Sequence, residues 1–214
     1  MKPILELNTS ILSIAQDIAV AESGCSILCN SFEPQEELRI ELLTDMSRLP
    51  EIYDLRLNVW EHSGKNEFVN RKLYPNGWYD ELDDTAYHWV VFNEENRIVA
   101  SARLHLFYSL QDFPYYKSVR KYLLPRVIPF AFYSRLVVDP AYRQNGLSRQ
   151  LYADRSRFCE QRGTKWSQVF INNPVIIKQY ERSGYINIGQ AEVAYHPSYA
   201  AHSVNVLIKE NIFA

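Results

Sequence analysis

The chain has 214 residues, of which 47% are apolar and 22% charged, and this composition predicts a folded domain with elaborations rather than a disordered chain. The net charge is -2 and the sequence pI is near 6.2, so no basic field favours a nucleic-acid partner. The three cysteines, Cys25, Cys29 and Cys159, match neither a disulfide framework nor the spacing of a zinc site. We therefore expect no metal and a reducing, cytoplasmic compartment.

The start of the chain carries a loosely helical apolar pattern over residues 3–22, followed by a connector over residues 24–34. Glu6, Asp17 and Glu22 interrupt the apolar residues, so this stretch predicts neither a signal peptide nor a membrane span. We interpret residues 1–34 as a helical N-terminal extension that packs on the domain or on a second subunit, which keeps a homodimer open. Residues 35–214 are assigned to the main domain.

The first part of the main domain predicts a strand, a helix and a polar loop. Residues 38–43 alternate between polar and apolar side chains, which is typical of a strand. We expect Thr44 or Asp45 to cap the helix that follows, along which apolar residues from Leu49 to Trp60 form one stripe. The polar stretch over residues 63–86 predicts a loop with a short helix.

A hairpin and an aromatic insertion come next. Two apolar segments, residues 89–92 and 98–104, flank the turn Asn93-Glu94-Glu95-Asn96 and predict a hairpin. Residues 107–128 hold four tyrosines and two prolines, which predicts an insertion over one end of the sheet. Further strands, which complete a mixed sheet, are predicted at residues 130–138, 166–171, 186–195 and 203–209.

The turn after residues 130–138 is the first functional signal. Asp139-Pro140 ends the apolar strand pattern, and apolar residues recur at helical spacing from Leu147 until Gly163. Between the two patterns lies Arg143-Gln144-Asn145-Gly146-Leu147-Ser148. A strand, a short turn with one glycine and a helix N-terminus together predict an anion site, because unpaired N–H groups and the positive end of the helix dipole meet there.

A second motif begins at Asn173-Pro174, which is expected to open a short helix that Gly184 ends. The residues that form this motif are Asn173, Ile176, Tyr180, Gly184 and Tyr185. Together with Arg143-x-x-Gly146-x-Ser148, this spacing resembles the GNAT superfamily of acyl-CoA-dependent N-acyltransferases over roughly residues 38–195. The resemblance implies the GNAT fold, an α/β (α+β) architecture with a mixed, mostly antiparallel central sheet, helices on both faces and splayed strands 4 and 5.

The resemblance implies acetyl-CoA or another acyl-CoA as co-substrate. In this family, backbone amides of the turn hold the pyrophosphate, and the pantetheine arm lies between the splayed strands. The residues expected to contact the cofactor are Leu136, Val137, Val138, Arg143, Gln144, Asn145, Gly146, Leu147, Ser148 and Asn173. Ser148 departs from the usual Gly or Ala, but its side chain is small and can donate to a phosphate.

Tyr180, His105 and Ser134 are the candidate catalytic residues. A tyrosine at the position of Tyr180 often protonates the departing coenzyme A thiolate in this family, although Tyr180 would also fit as a core aromatic. Many members carry glutamate before the arginine of the fourth strand, where this chain has Ser134. His105, placed by strand alternation beside Arg103 and Ser101, is the substitute for a general base, with a structural histidine as the alternative.

A second resemblance concerns residues 55–60, 80–84 and 102–104, which are similar to acyl-homoserine-lactone and N-acyl amino acid synthases. These enzymes share the GNAT fold and commonly take acyl groups from acyl carrier protein. The resemblance implies that Arg56, Asp83 and Arg103 form a charged cluster at the acceptor or donor site. The alternative is an exposed Arg56 and a strand-edge charge at Arg103. Phe132 stands where the synthases carry glutamate, so coenzyme A remains the favoured donor.

The leading hypothesis is an enzyme of the EC 2.3.1 class that transfers an acetyl or short acyl group from coenzyme A to a primary amine by direct attack. The acceptor is expected to be a small molecule or a peptide, with no nucleic-acid or membrane partner. One alternative is a synthase that depends on acyl carrier protein. The other is a non-catalytic acyl-CoA-binding module, which the missing glutamate before Arg135 favours.

Overall fold

The computed structural model of the protein describes residues 37–63, 69–122, 124–125, 127–194 and 201–211. All of them belong to the second of the two units into which the chain divides, Glu36–Ala214. The helical extension predicted over residues 1–34 lies outside the described residues and stays a prediction.

Seven strands make up one sheet. They are β1 (Arg39–Leu42), β2 (Tyr87–Phe92), β3 (Ile98–Phe107), β4 (Phe130–Val138), β5 (Trp166–Ile171), β6 (Ile186–Val193) and β7 (His202–Glu210). Their order across the sheet is β1-β2-β3-β4-β5-β7-β6. β4 and β5 are parallel, and the other neighbouring pairs are antiparallel. The mixed, mostly antiparallel sheet predicted from the sequence is therefore confirmed.

The described ranges also contain the helices α1 (Leu49–Glu61), α2 (Tyr116–Val119), α3 (Leu147–Gln161) and α4 (Pro174–Arg182). The predicted cap of α1 is wrong, since Asp45 instead caps the 3-10 turn Met46–Arg48 by accepting from the Ser47 N–H at 3.1 Å. α1 itself has a proline in its first turn and no side-chain cap. Within these ranges, no helix has the length and apolar content needed to cross a bilayer.

Both faces of the sheet are covered. Successive β3 side chains point to opposite sides of the sheet, and each side packs against a helix. On one side, Leu104 packs in a cluster with Leu151 of α3. On the other side, Ile52 of α1 packs with Val90 of β2. We call these sides the α3 face and the α1 face. The helices predicted on both faces of the sheet are thus observed.

The aromatic segment predicted as an insertion over residues 107–128 lies on the α1 face. Its Phe113 ring is 5.1 Å from the ring of Phe132 and 5.6 Å from that of Phe130. These rings belong to one buried cluster that also contains Val119 of α2 and Trp166 of β5. The segment therefore covers the part of the sheet where β4 and β5 are paired.

Candidate active site

The two parallel strands separate part-way along their length. Phe130–Tyr133 of β4 pair with Trp166–Val169 of β5, but β4 continues to Val138 without further pairing on that side. On the opposite edge of β4, the register with β3 shifts between Ser101 and Arg103. Arg135 has a φ of 53°, which marks a β-bulge at this point. The resulting gap, which we call the β4–β5 fork, confirms the predicted splay of strands 4 and 5.

The turn at the end of β4 has the backbone geometry of an anion site. Gln144 and Gly146 have φ values of 70° and 73°, in the left-handed region, and α3 begins at Leu147 without a side-chain cap. The amides of residues 144–148 have no backbone acceptor among the described residues. In contrast, the N–H groups of Arg149 and Gln150 both donate to the Gly146 carbonyl, at 2.9 and 3.2 Å. Backbone donors without a backbone acceptor therefore meet the positive end of the α3 dipole.

The three residues expected along the cofactor arm differ in the direction of their side chains. Leu136 is 37% exposed, whereas Val137 and Val138 are buried. Val137 packs in the cluster of the α1 face and Val138 in that of the α3 face. Only the backbone of Val137 and Val138 is therefore available to a ligand in the fork, together with the side chain of Leu136.

Asn173 is the N-cap of α4. Its side-chain oxygen accepts from the N–H groups of Val175 and Ile176, at 2.9 and 3.4 Å. This cap explains the Asn-Pro signal, because Pro174 occupies a first-turn position at which the helix needs no N–H partner. Arg143 lies at the other end of the site, with its Nε donating to the Val138 carbonyl at 3.4 Å.

Tyr180 of α4 lies in an aromatic group on the α3 face. Its ring is 5.6 Å from that of Tyr152 and 4.9 Å from that of Tyr185, in both cases edge to face. Burial raises the pKa of the Tyr180 hydroxyl, and the positive charge of Arg155 partly offsets this rise. Tyr180 is therefore protonated at neutral pH and can act as a hydrogen-bond donor or proton donor.

The structure brings Arg56, Asp83 and Arg103 together beneath α1. Arg56 and Asp83 are both 0% exposed, and their Nη1 and Oδ1 atoms are 2.9 Å apart. The Nη1 of Arg103 is also 2.9 Å from the Asp83 Oδ1. The alternatives of an exposed Arg56 and a strand-edge Arg103 are wrong, while a role of the three in substrate binding stays a prediction.

Asp80 and Arg135 extend this group, and we call the five residues the charged cluster. Asp80 accepts from both Arg103 and Arg135, and the Arg135 guanidinium lies 3.9 Å from the centre of the Trp78 ring. Asp80 and Asp83 also form a reciprocal capping box at the 3-10 turn Glu81–Asp84. Three guanidinium groups and two carboxylates leave the charged cluster with one excess positive charge.

Burial and pairing act in opposite directions on the acids of the charged cluster. Burial raises the pKa of Asp80, but Arg135 and Arg103 together hold it well below its usual range. The pKa of Asp83 is lowered in the same way, since Arg56 and Arg103 outweigh its burial. Both carboxylates are therefore ionised at neutral pH.

Ser134 and the two histidines border the charged cluster. The Ser134 hydroxyl accepts from Arg103 Nε at 2.9 Å. His88 packs against the cluster, with Nε2 3.0 Å from the Asp83 carbonyl oxygen. His105 stacks on Phe107 at 4.2 Å, and its buried Nδ1 has no hydrogen-bond partner in the described part of the chain. Burial and the charge of Arg103 lower the pKa of His105, so it is neutral at pH 7.

Sequence reasoning missed Asp80 and Arg135 of the charged cluster, and Arg155 of α3. Asp80 belongs to the acidic run over residues 80–84. The order of the residues in this run does not show which carboxylates point into the protein. Arg155 follows Leu147 and Leu151 at intervals of four along α3, and it is buried like them. A charged residue in the apolar stripe of a helix was the signal that could have found it.

One comparison with known proteins shows the family. The model of the acetyltransferase (GNAT) family matches residues 49–185, which is more than half of the chain. No curated protein sequence matches the chain.

Solved structures share the fold at low sequence identity. The AHL synthase LasI is 12% identical, with a TM-score of 0.60 over 83% of this chain and 92% of that chain. The N-acyl amino acid synthase FeeM from uncultured soil microbes is 12% identical, with a TM-score of 0.59 over 82% of this chain and 92% of that chain. A GNAT family acetyltransferase from Elizabethkingia anophelis with acetyl-CoA bound is 12% identical, with a TM-score of 0.53 over 83% of this chain and 100% of that chain. Likeness at this identity shows the fold alone.

Proposed function

The chain belongs to the GNAT acetyltransferase family, and from that premise we propose that it transfers an acetyl or short acyl group from coenzyme A to a primary amine of a small molecule or peptide. The observation that carries the proposal is the turn at residues 143–148. It presents backbone donors without a backbone acceptor, and a helix N-terminus, at the end of the β4–β5 fork. A pyrophosphate is the anion whose size and charge suit several converging amides.

The donor is proposed to lie along the fork. The turn would hold the pyrophosphate, with Gly146 allowing close approach of the backbone. The pantetheine arm would pair with the free edge of β4 and contact Leu136, whose side chain is exposed there. Such an arrangement delivers the thioester to the point where β4 and β5 separate, beside Tyr133.

The reaction follows from the groups near this point. The neutral amine attacks the thioester carbonyl, N–H groups of the unpaired β4 edge polarise the carbonyl oxygen, and Tyr180 donates its proton to the departing sulfur. His105 is the proposed base, because it is neutral at pH 7 and its Nδ1 is unpartnered in the described residues. Ser134 supports this arrangement indirectly by accepting from Arg103.

The test combines binding with turnover. We expect calorimetry to show coenzyme A binding, and thiol release from acetyl-CoA to depend on one amine of a panel of amino acids, polyamines and peptides. Binding without release, whichever amine is offered, would favour the non-catalytic module. Failure of coenzyme A and acetyl-CoA to bind would contradict the proposal.

Tyr180→Phe tests the proposed proton donor. The variant removes one hydroxyl and keeps the ring contacts with Tyr152 and Tyr185, so kcat should fall about 10- to 1000-fold while coenzyme A affinity stays the same. Tyr152→Phe is the matched control, since it removes the hydroxyl of a neighbouring ring and should keep most of the activity. An unchanged kcat for Tyr180→Phe would remove this residue from the mechanism.

A second candidate function is an acylator that depends on acyl carrier protein. The charged cluster favours it, because Arg56, Asp83 and Arg103 meet as the resemblance to the synthases implies. Acyl transfer to amino acids should then occur with acyl-carrier-protein thioesters and not with the matching coenzyme A thioesters. The opposite preference would reject this candidate.

A further inference from the structure

Arg155 is a buried cation without an acid beside it. It is 0% exposed, and its Nε and Nη1 donate to the carbonyls of Leu151 and Arg103, at 3.0 and 3.1 Å. Its side chain also hydrogen-bonds the Tyr180 hydroxyl, and this contact lowers the pKa of that phenol. None of the ion pairs found among those residues includes Arg155. Arg56 and Arg103, which are equally buried, both pair with Asp83.

The surroundings of Arg155 offer phenols and a thiol instead of carboxylates. Its guanidinium lies 4.8 Å from the centre of the Tyr133 ring. Tyr133 in turn approaches the Cys159 sulfur at 3.4 Å. Burial raises the pKa values of both Tyr133 and Cys159, so neither is an anion at neutral pH. A buried guanidinium in such surroundings is costly unless a negative charge arises beside it.

Arg155 is placed where the fork opens. Tyr133, beneath its guanidinium, is the last residue of β4 that pairs with β5. The Tyr152 ring bridges this point to Tyr180, at 5.8 Å from Tyr133 and 5.6 Å from Tyr180. The titratable groups that face Tyr180 are thus Arg155 and Tyr152 from α3 and Tyr185 after α4, and Arg155 is the cation among them.

We infer that Arg155 is a positioning residue that acts through Tyr180, holding the phenol and compensating the negative charge that the phenol and the departing thiolate share. The inference rests on the proposed function. As the new C–N bond forms, the C–S bond breaks and its electron pair stays on sulfur. The Tyr180 proton moves to that sulfur, and the proton that the acceptor amine releases goes to His105. Exchange with solvent then carries one proton from His105 back to the Tyr180 phenolate, so that no net proton is gained or lost. The Arg155 charge lowers the energy of both anionic forms.

Proton linkage on binding of coenzyme A tests the inference without any acceptor. Calorimetry in buffers of different ionisation enthalpy gives the protons exchanged at pH 8.5, near the ordinary thiol pKa. The Arg155→Met complex should retain about 0.4 proton more than the wild-type complex, which corresponds to a rise of about one unit in the thiol pKa. Desulfo-coenzyme A should show no difference between the two proteins.

Arg157→Met is the matched control, because Arg157 lies on the same helix with an exposed side chain paired to Asp154. It should reproduce the wild-type proton count. Equal counts for wild type and Arg155→Met would overturn the inference while coenzyme A binding still supported the proposed function. Absence of coenzyme A binding to the wild type would instead overturn both.

A double-mutant cycle gives the kinetic test with the amine found active. Arg155→Met should lower kcat about tenfold in the wild-type background and less than about twofold in Tyr180→Phe, with KM for the acyl donor unchanged. Arg155→Lys, which keeps the charge, should stay within about threefold of wild type. Equal losses in the two backgrounds would show a merely structural role and overturn the inference, as would an unchanged kcat for Tyr180→Phe.

Discussion

The charged cluster and the β4–β5 fork both concentrate polar groups, but they satisfy them in opposite ways. In the charged cluster, both oxygens of Asp83 accept from Arg56, and the carboxylate has no contact with solvent. At the fork, the amides of residues 144–148 find no backbone acceptor in the described chain. Buried charges that are paired with each other fix the position of the elements that carry them. Backbone donors without an acceptor are instead available to a ligand.

The largest expected effect is on stability, and it comes from removing a carboxylate of the charged cluster. Asp83→Ala would leave the guanidinium groups of Arg56 and Arg103 buried with fewer partners, so the free energy of unfolding should fall by about 3–5 kcal/mol. Urea unfolding followed by circular dichroism measures this loss. Asp54→Ala, which removes a carboxylate paired with Arg71 on the exposed side of α1, should cost less than about 1 kcal/mol. Similar losses for the two variants would contradict the distinction.

Acid should weaken the charged cluster. The folded-state pKa values of Asp80 and Asp83 lie below the unfolded value of about 3.9, so their stabilisation is complete above about pH 5 and is lost as the pH falls. The free energy of unfolding between pH 6 and pH 3 should therefore decrease by roughly 1–3 kcal/mol. Asp80→Asn should flatten this dependence. A wild-type profile that is already flat would show that these acids are not stabilised by their partners.

The smallest expected effect comes from replacing the glycine of the turn at the fork, compared with the glycine at the other end of α3. Gly146 and Gly163 stand at the two ends of α3 with φ values of 73° and 62°, and a methyl group added at either meets no atom within 4 Å. Alanine at each position should cost about 1–2 kcal/mol of stability through the backbone alone. Only Gly146→Ala should weaken coenzyme A binding, by about 3- to 10-fold in Kd measured by calorimetry. An equal change in Kd for Gly163→Ala would contradict a special role of the turn.

Local patterns predicted the parts of this fold that depend on nearby residues. The polar turn at residues 93–96 joins β2 and β3, and the Asn173-Pro174 pair begins α4, because turns and caps are set within a few residues. The strand, turn and helix around Gly146 could be predicted for the same reason. Whether the turn binds coenzyme A stays a prediction.

The charged cluster could be predicted only in part, because a bulge changes which side chains meet. Strand alternation would place Ser134 and Arg135 on opposite faces of the sheet. The positive φ of Arg135 turns its side chain to the same side, where it reaches Asp80 at 55 residues' separation. Which carboxylate of the acidic run turns inward depends on the capping box between Asp80 and Asp83, and that contact is not visible in the spacing of the residues.

The short pairing of β4 with β5 has a consequence for the motions of the sheet. Four residue pairs join the half-sheet β1–β4 to the half-sheet β5–β7, whereas β5 and β7 share six. Amide hydrogens along the free edge of β4 should therefore exchange with solvent faster than those of β3, which is paired on both sides. A molecule bound between the half-sheets would take the place of a missing strand. Binding in the fork would therefore also reduce the motion of the two half-sheets relative to each other.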